Sequence, residues 1–142
     1  MGLFDKFFGK KDQPSVPEDQ LGDETIPLTG PSWQVASNVP QELAASEVLD
    51  LYNRQPRPVF LDVREEEERR QFGFIPGSLH IPMHDIQGRM DELDPKKFVV
   101  VYCASGMRSM DAGAFLLEQG FREVGNLNGG MGKWEGPTEM PN

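Results

Sequence analysis

Phe98-Val99-Val100-Val101-Tyr102-Cys103-Ala104-Ser105-Gly106-Met107-Arg108-Ser109 passes from bulky apolar residues through small ones to a helix start. Its first five residues are apolar, mostly β-branched or aromatic, and read as a buried strand. Small residues follow, and then Met110 to Gln119 has helical composition, with Ala112, Phe115, Leu116 and Leu117 at helical spacing. Strand, short loop and helix start bring the Cys103 thiol against free backbone N–H groups and the positive end of a helix dipole. Arg108 adds a full positive charge, and both effects favour thiolate over thiol. A lone cysteine at a strand end is, taken by itself, as consistent with core packing as with chemistry. The Ser-Gly-x-Arg that follows turns the reading towards a reactive thiol. Gly permits unusual backbone angles, and Arg is the natural partner of an anion.

Outward from this stretch, strands alternate with helices. Trp33–Ser37 alternates and suggests a first strand, and Asn38 or Pro40 opens a helix through Tyr52, with Leu43, Val48, Leu49 and Tyr52 as its apolar stripe. Val59–Val63 is a second strand, apolar except for Asp62. Glu65–Gln71 is a charged helix whose Glu65–Glu68 run reads as a solvated face with favourable charge at the helix start. Ile75-Pro76-Gly77-Ser78 is a turn, Leu79–Ile81 a short strand, and Asp85–Leu93 a helix with Ile86, Met90 and Leu93 on one face. Beyond the cysteine, Gly120 caps the helix, Glu123–Leu127 is a fifth strand, and Asn128–Trp134 turns into a short final helix. The alternation predicts an α/β domain with a five-stranded, mostly parallel sheet and helices on both faces. Ligands of such sheets sit beyond the carboxyl ends of the strands, where Cys103 lies.

The whole chain limits the classes of function. Its 142 residues suffice for one domain with a core and a tail, read as an amphipathic segment and Pro-rich arm over 1–31 and a domain over 32–142. One cysteine forms no internal disulfide, and no run approaches the ~20 apolar residues of a membrane span, so a cytoplasmic protein is expected. A net charge of -9 with no basic stripe argues against nucleic-acid binding. His80 and His84 are the only histidines, and Pro82 between them spoils a shared helical face, so no metal site and no cofactor are expected.

Four motifs then fall in order: Leu61-Asp62-Val63-Arg64; Ile75-Pro76-Gly77-Ser78 with Ile81-Pro82; Val101-Tyr102-Cys103 through Ser109; and Leu127-Asn128-Gly129-Gly130 through Trp134. Together, over about residues 32 to 135, they resemble the single-domain rhodanese family. The resemblance implies sulfur transfer through a persulfide on Cys103, from a small donor such as thiosulfate or a persulfide to cyanide, a thiol or a protein acceptor. It implies that Cys103 and Arg108 carry the chemistry. Ala104, Ser105, Gly106, Met107 and Ser109 would form the binding loop, and Asp62 and Arg64 would support it, Asp62 by holding either Arg108 or its own neighbourhood in place. Asp62 is read as a member of a buried structural ion pair rather than as a participant in the chemistry. Gly129, Gly130 and Trp134 read as turn and packing. Four residues separate Cys103 from Arg108, one fewer than in the cysteine phosphatases that resemble this fold, which favours sulfur over a tetrahedral phosphate. Two features depart from the pattern. Phe74 stands where many relatives carry His, and neutral Ala104 and Ser105 stand where thiosulfate-preferring members tend to carry basic residues. Weak affinity for thiosulfate is therefore expected.

Two other classes use the same residues: a persulfide carrier or recruitment module without turnover, and a small phosphatase or arsenate reductase. Residues 1–11 carry Leu3, Phe4, Phe7 and Phe8 with Lys6, Lys10 and Lys11, a pattern that would suit contact with a membrane surface. An isolated helix shorter than ~12 residues is marginal in water, so they are read as a frayed tail. A truncation starting at Gln13 is expected to leave the distribution between membrane and soluble fractions unchanged; a shift out of the membrane fraction would establish docking.

Overall fold

Val99–Tyr102 is the strand from which the sheet is built outward, and all four of its residues lack exposed surface in the computed structural model, which describes residues 39–142. In chain order the elements are β1 (Gln41–Leu43), α1 (Ala45–Tyr52), β2 (Val59–Asp62), α2 (Glu66–Phe72), β3 (Leu79–His80), α3 (Ile86–Arg89), β4 (Val99–Tyr102), α4 (Met107–Glu118) and β5 (Val124–Leu127), with a closing 3-10 turn at Gly130–Lys133. The sheet order is β1-β5-β4-β2-β3, and every pairing is parallel. A central parallel strand is covered on both faces, which is why β4 reads as a continuous apolar run rather than an alternation.

Successive side chains of β4 feed two cores. Val99 and Val101 join Leu61, Val63, Ile86, Ala112, Leu116 and Val124 on the face covered by α3 and α4. Val100 and Tyr102 join Phe60, Leu43, Val48, Leu51, Tyr52, Ile75 and Trp134 on the face covered by α1. Helix α2 buries none of its residues and is held by charge instead.

The anchor for α2 is Asp62, the polar residue noted in the second strand. It is fully buried and lies in register with Tyr102 on the neighbouring strand. Its Oδ1 accepts from Arg64 Nε at 2.9 Å, and its Oδ2 accepts from Arg64 Nη2 at 2.8 Å and from the Tyr102 hydroxyl at 3.0 Å. Arg69 of α2 sits 3.3 Å from the same Oδ2. The Tyr102 hydroxyl also accepts from Ile75 N–H at 3.1 Å and pairs with Ser78 Oγ at 3.0 Å, which ties the turn after α2 to the centre of the sheet. Burial first, then the neighbouring carboxylate, hold the Tyr102 phenol well above its usual pKa.

Four sequence expectations change. Pro40 does not open a helix: Gln41–Leu43 pairs in parallel with β5, and the helix is confined to Ala45–Tyr52. Only Leu43 of that strand is buried, so a three-residue edge with two exposed polar residues carries no pattern of its own. The expected helix over Asp85–Leu93 is α-helical only at Ile86–Arg89, between 3-10 turns at Met83–Asp85 and Met90–Glu92. Gly88 in its centre contributes no side-chain packing and costs helix propensity. Helix α4 starts at Met107, three residues earlier than expected, and the final helix is the 3-10 turn. The strand expected at Trp33–Ser37 and the arm at 1–31 lie outside the described residues.

Asp62→Asn should cost about 3–5 kcal/mol of stability, because it leaves the buried Arg64 charge without its carboxylate. Arg70→Ala, which cuts a side chain 63% exposed, should stay within about 0.5 kcal/mol. Urea denaturation of the two variants measures the contrast.

Candidate functional site

The end of β4 becomes a site because the chain turns sharply within three residues. Gly106 takes φ 102° at the N-cap of α4, a left-handed conformation that suits glycine, and a Cβ there would come within 3.1 Å of Gly129 N. The turn folds the loop back over the cysteine. Cys103 Sγ accepts from Gly106 N–H at 3.0 Å, from Ser109 N–H at 3.4 Å and from the Ser109 hydroxyl at 3.4 Å. Burial works against a charged sulfur, but the Ser109 hydroxyl and the amides of Ser109, Gly106 and Ser105 outweigh it and hold Cys103 below the ordinary thiol pKa. The cysteine itself has no exposed surface, whereas Ala104 and Ser105 form an exposed lip and Met107 is 76% exposed beside it.

A second layer fixes the donors. Ser109 Oγ donates a hydrogen bond to Asn126 Oδ1. Asn126 Nδ2 in turn donates to Glu42 Oε1 at 3.0 Å and to the Gly106 carbonyl at 3.1 Å, so its oxygen is left facing Ser109. The single hydroxyl proton of Ser109 therefore has two acceptors, Asn126 and the sulfur. With a neutral thiol the proton is free to stay on the Asn126 side. A thiolate or persulfide anion competes for it with a full charge.

The Gly129-Gly130 turn supports the loop from below. Met131 N–H donates to the Cys103 carbonyl at 2.9 Å. Gly130, at φ 63°, lies so near that a Cβ would stand 2.5 Å from the Cys103 and Ala104 carbonyl oxygens. The turn-and-packing reading of Gly129, Gly130 and Trp134 fits this contact and the place of Trp134 in the core.

Arg108 sits in the first turn of α4, and its partner is not Asp62. Its two terminal nitrogens donate to the two carboxylate oxygens of Glu68, both at 2.8 Å. Glu68 Oε1 also accepts from Glu65 N–H at 2.9 Å, closing the start of α2. The Arg108 guanidinium holds the Glu68 carboxyl down at about 2. Glu68 is thus a partner of the loop rather than a member of a solvated run. Arg64 turns away from the loop, donating to Asp62 and to the Gly73 carbonyl at 2.8 Å. Of the two expected supporting residues, neither touches Cys103 or Arg108 by a hydrogen bond; they organise α2 instead. His80 Nε2 lies 2.7 Å from the Arg64 carbonyl and His84 pairs with Glu65 and Asp85. Among the described residues no cluster of His, Cys, Asp and Glu has metal-binding geometry.

Residues 44–137 match the Rhodanese-like domain family. The chain belongs to the rhodanese-like family. The "Putative sulfurtransferase YtwF" of Bacillus subtilis is 41% identical over 102 residues, 72% of this chain and 97% of that one. The thiosulfate sulfurtransferase GlpE of Coxiella burnetii is 36% identical over 86 residues, 59% of this chain and 79% of that protein. A rhodanese-like domain protein from Staphylococcus aureus superposes with a TM-score of 0.67 at 25% identity, over 72% of this chain and 99% of that chain. At the level of family, the rhodanese-like chain is related to sulfurtransferases, and its α/β fold with a five-stranded parallel sheet is that of its structural neighbours.

Ser109→Ala removes one donor to the sulfur and should raise the Cys103 pKa. The thiolate is the reactive form, so the rate of alkylation by uncharged iodoacetamide climbs as pH rises through that pKa. The inflection is expected below the ordinary thiol range in the wild type and at higher pH in the variant; coincident profiles would remove Ser109 from the stabilisation of the anion.

Proposed function

We propose that this rhodanese-like protein moves a sulfane sulfur from a donor to a thiophilic acceptor through a persulfide on Cys103. The observation that carries the reading is the convergence of backbone and hydroxyl donors on one sulfur atom at the carboxyl end of the central strand. Such donors stabilise an anion wherever it lies along the reaction, as thiolate before transfer and as persulfide after it.

In the first step the Cys103 thiolate attacks the outer sulfur of the donor. A new Sγ–S bond forms, the donor's S–S bond breaks, and its electron pair leaves with sulfite from thiosulfate or with a thiolate from an organic persulfide. In the second step the acceptor attacks the outer sulfur of the persulfide. The Sγ–S bond breaks and its electron pair returns to Cys103 as thiolate. Both steps conserve charge, and sulfur and the acceptor supply every electron pair, so the balance requires no cofactor. The outer sulfur of a persulfide stands about 2 Å beyond Sγ, which brings it nearer an acceptor than the buried Sγ itself. A donor has to enter past the lip of Ala104, Ser105 and Met107.

Intact-mass measurement tests this. After exposure to thiosulfate or to an alkyl persulfide, the wild type should gain one sulfur, Cys103→Ser should gain none, and cyanide or a thiol should return the loaded protein to its starting mass over repeated cycles. Loading without repeated turnover would indicate a carrier. Failure to load from any donor would overturn the proposal.

A further inference from the structure

The surroundings of Arg108 set a limit on the charge that the site can attract. A loop arginine draws an anionic donor only as far as its charge is left uncompensated. Here the guanidinium and the Glu68 carboxylate meet fork to fork, both contacts at 2.8 Å, and the pair is only partly open to solvent, at 39% for Arg108 and 27% for Glu68. The carboxylate is anchored a third time by Glu65 N–H, so it does not swing away cheaply. Arg64 and Arg69 both face the single carboxylate of Asp62, and no hydrogen bond joins either of them to Cys103 among the described residues. Lys133 faces the groove lined by Ala44, Ser46, Asn128 and Glu135, beside the Gly129 turn rather than beside Arg108. No hydrogen bond joins Arg108 to Cys103 Sγ among the described residues, so the arginine acts on the sulfur through charge.

We infer that Glu68 is a specificity-determining residue: by holding Arg108 in a neutral pair, it biases Cys103 against dianionic donors such as thiosulfate and towards organic persulfides, which bear a single charge. The inference deepens the sulfur-transfer reading and rests on it. Its physical content is a ratio. A site charge of one unit acts twice as strongly on a dianion as on a monoanion, and not at all on a neutral reagent, so removing the Glu68 charge must raise reactivity in that order. An effect on the cysteine pKa would change all reagents alike and cancels from the ratio.

The test compares Glu68→Gln and Glu68→Ala with the wild type. The glutamine retains an oxygen that accepts from Arg108 and preserves the packing if the alanine fails to fold. Second-order rates of sulfur loading are measured from thiosulfate and from ethyl persulfide, at low and at high salt. In Glu68→Gln the thiosulfate rate should rise about tenfold to hundredfold, and the ethyl persulfide rate about threefold to tenfold, both gains shrinking as salt screens the exposed charge. A second readout needs no sulfur transfer: the ratio of Cys103 alkylation by anionic iodoacetate to that by neutral iodoacetamide should rise about threefold to tenfold. Unchanged ratios in both assays would overturn the role of Glu68. Absence of sulfur loading with a raised iodoacetate ratio would instead overturn the sulfur-transfer reading and leave the charge effect of Glu68 standing.

Discussion

The buried carboxylate of Asp62 is the constraint on which the rest of the site depends. A fully buried charge at a strand end is costly unless it is paired and hydrogen-bonded, and each partner that satisfies it brings a different part of the chain into place. Arg64 fixes the exit of β2, Tyr102 locks β2 to β4 and reaches the turn at Ile75–Ser78, and Arg69 draws in α2. Helix α2 has no buried apolar face to hold it, so these contacts decide where it lies. Its position in turn decides where Glu68 stands, and Glu68 receives Arg108. Asp62, which makes no hydrogen bond to the Cys103 loop, thereby helps to set where Arg108 finds its counter-charge.

The loop itself is built on economy of donors. The amides that face Cys103 belong to Ser105, Gly106 and the first turn of α4, so no additional side chain is required to supply them. The Ser109 hydroxyl is the adjustable member, since Asn126 and the sulfur compete for one proton. Asn126 is held by Glu42 on the edge strand and by the Gly106 carbonyl, which links the conformation of the loop to the pairing of β1 with β5. The close seat of Gly130 against the Cys103 and Ala104 carbonyls leaves no room for a side chain at that position. Donors already aligned in this way would need no reorganisation were charge to move onto or off the sulfur.

Particular residues mark how much of this could be read beforehand. The β4 strand, the loop and α4 follow from composition and periodicity, because a run buried on both faces leaves a local record in its side chains. So does Asp62, a single polar residue in an apolar strand. Asn126 carries the same signal, as the polar residue within Val124-Gly125-Asn126-Leu127. Glu68 leaves no such trace. It is the last of four successive glutamates, and its partner lies 40 residues further along the chain. The edge strand at Gln41–Leu43 was hidden for a related reason: its pairing belongs to β5, not to its own side chains.

Local patterns along the chain already record an α/β fold and a Cys103–Arg108 loop of rhodanese spacing at the end of the central strand. Those features are written in local patterns: β-branched runs, a glycine where φ is positive, and a helix start behind a cysteine. Which charges meet is set by the packing of separate elements. That packing places Asp62 with Arg64 and Arg69, and Arg108 with Glu68. Charge pairing depends on distances across separate elements, and no period or spacing along the chain records those distances.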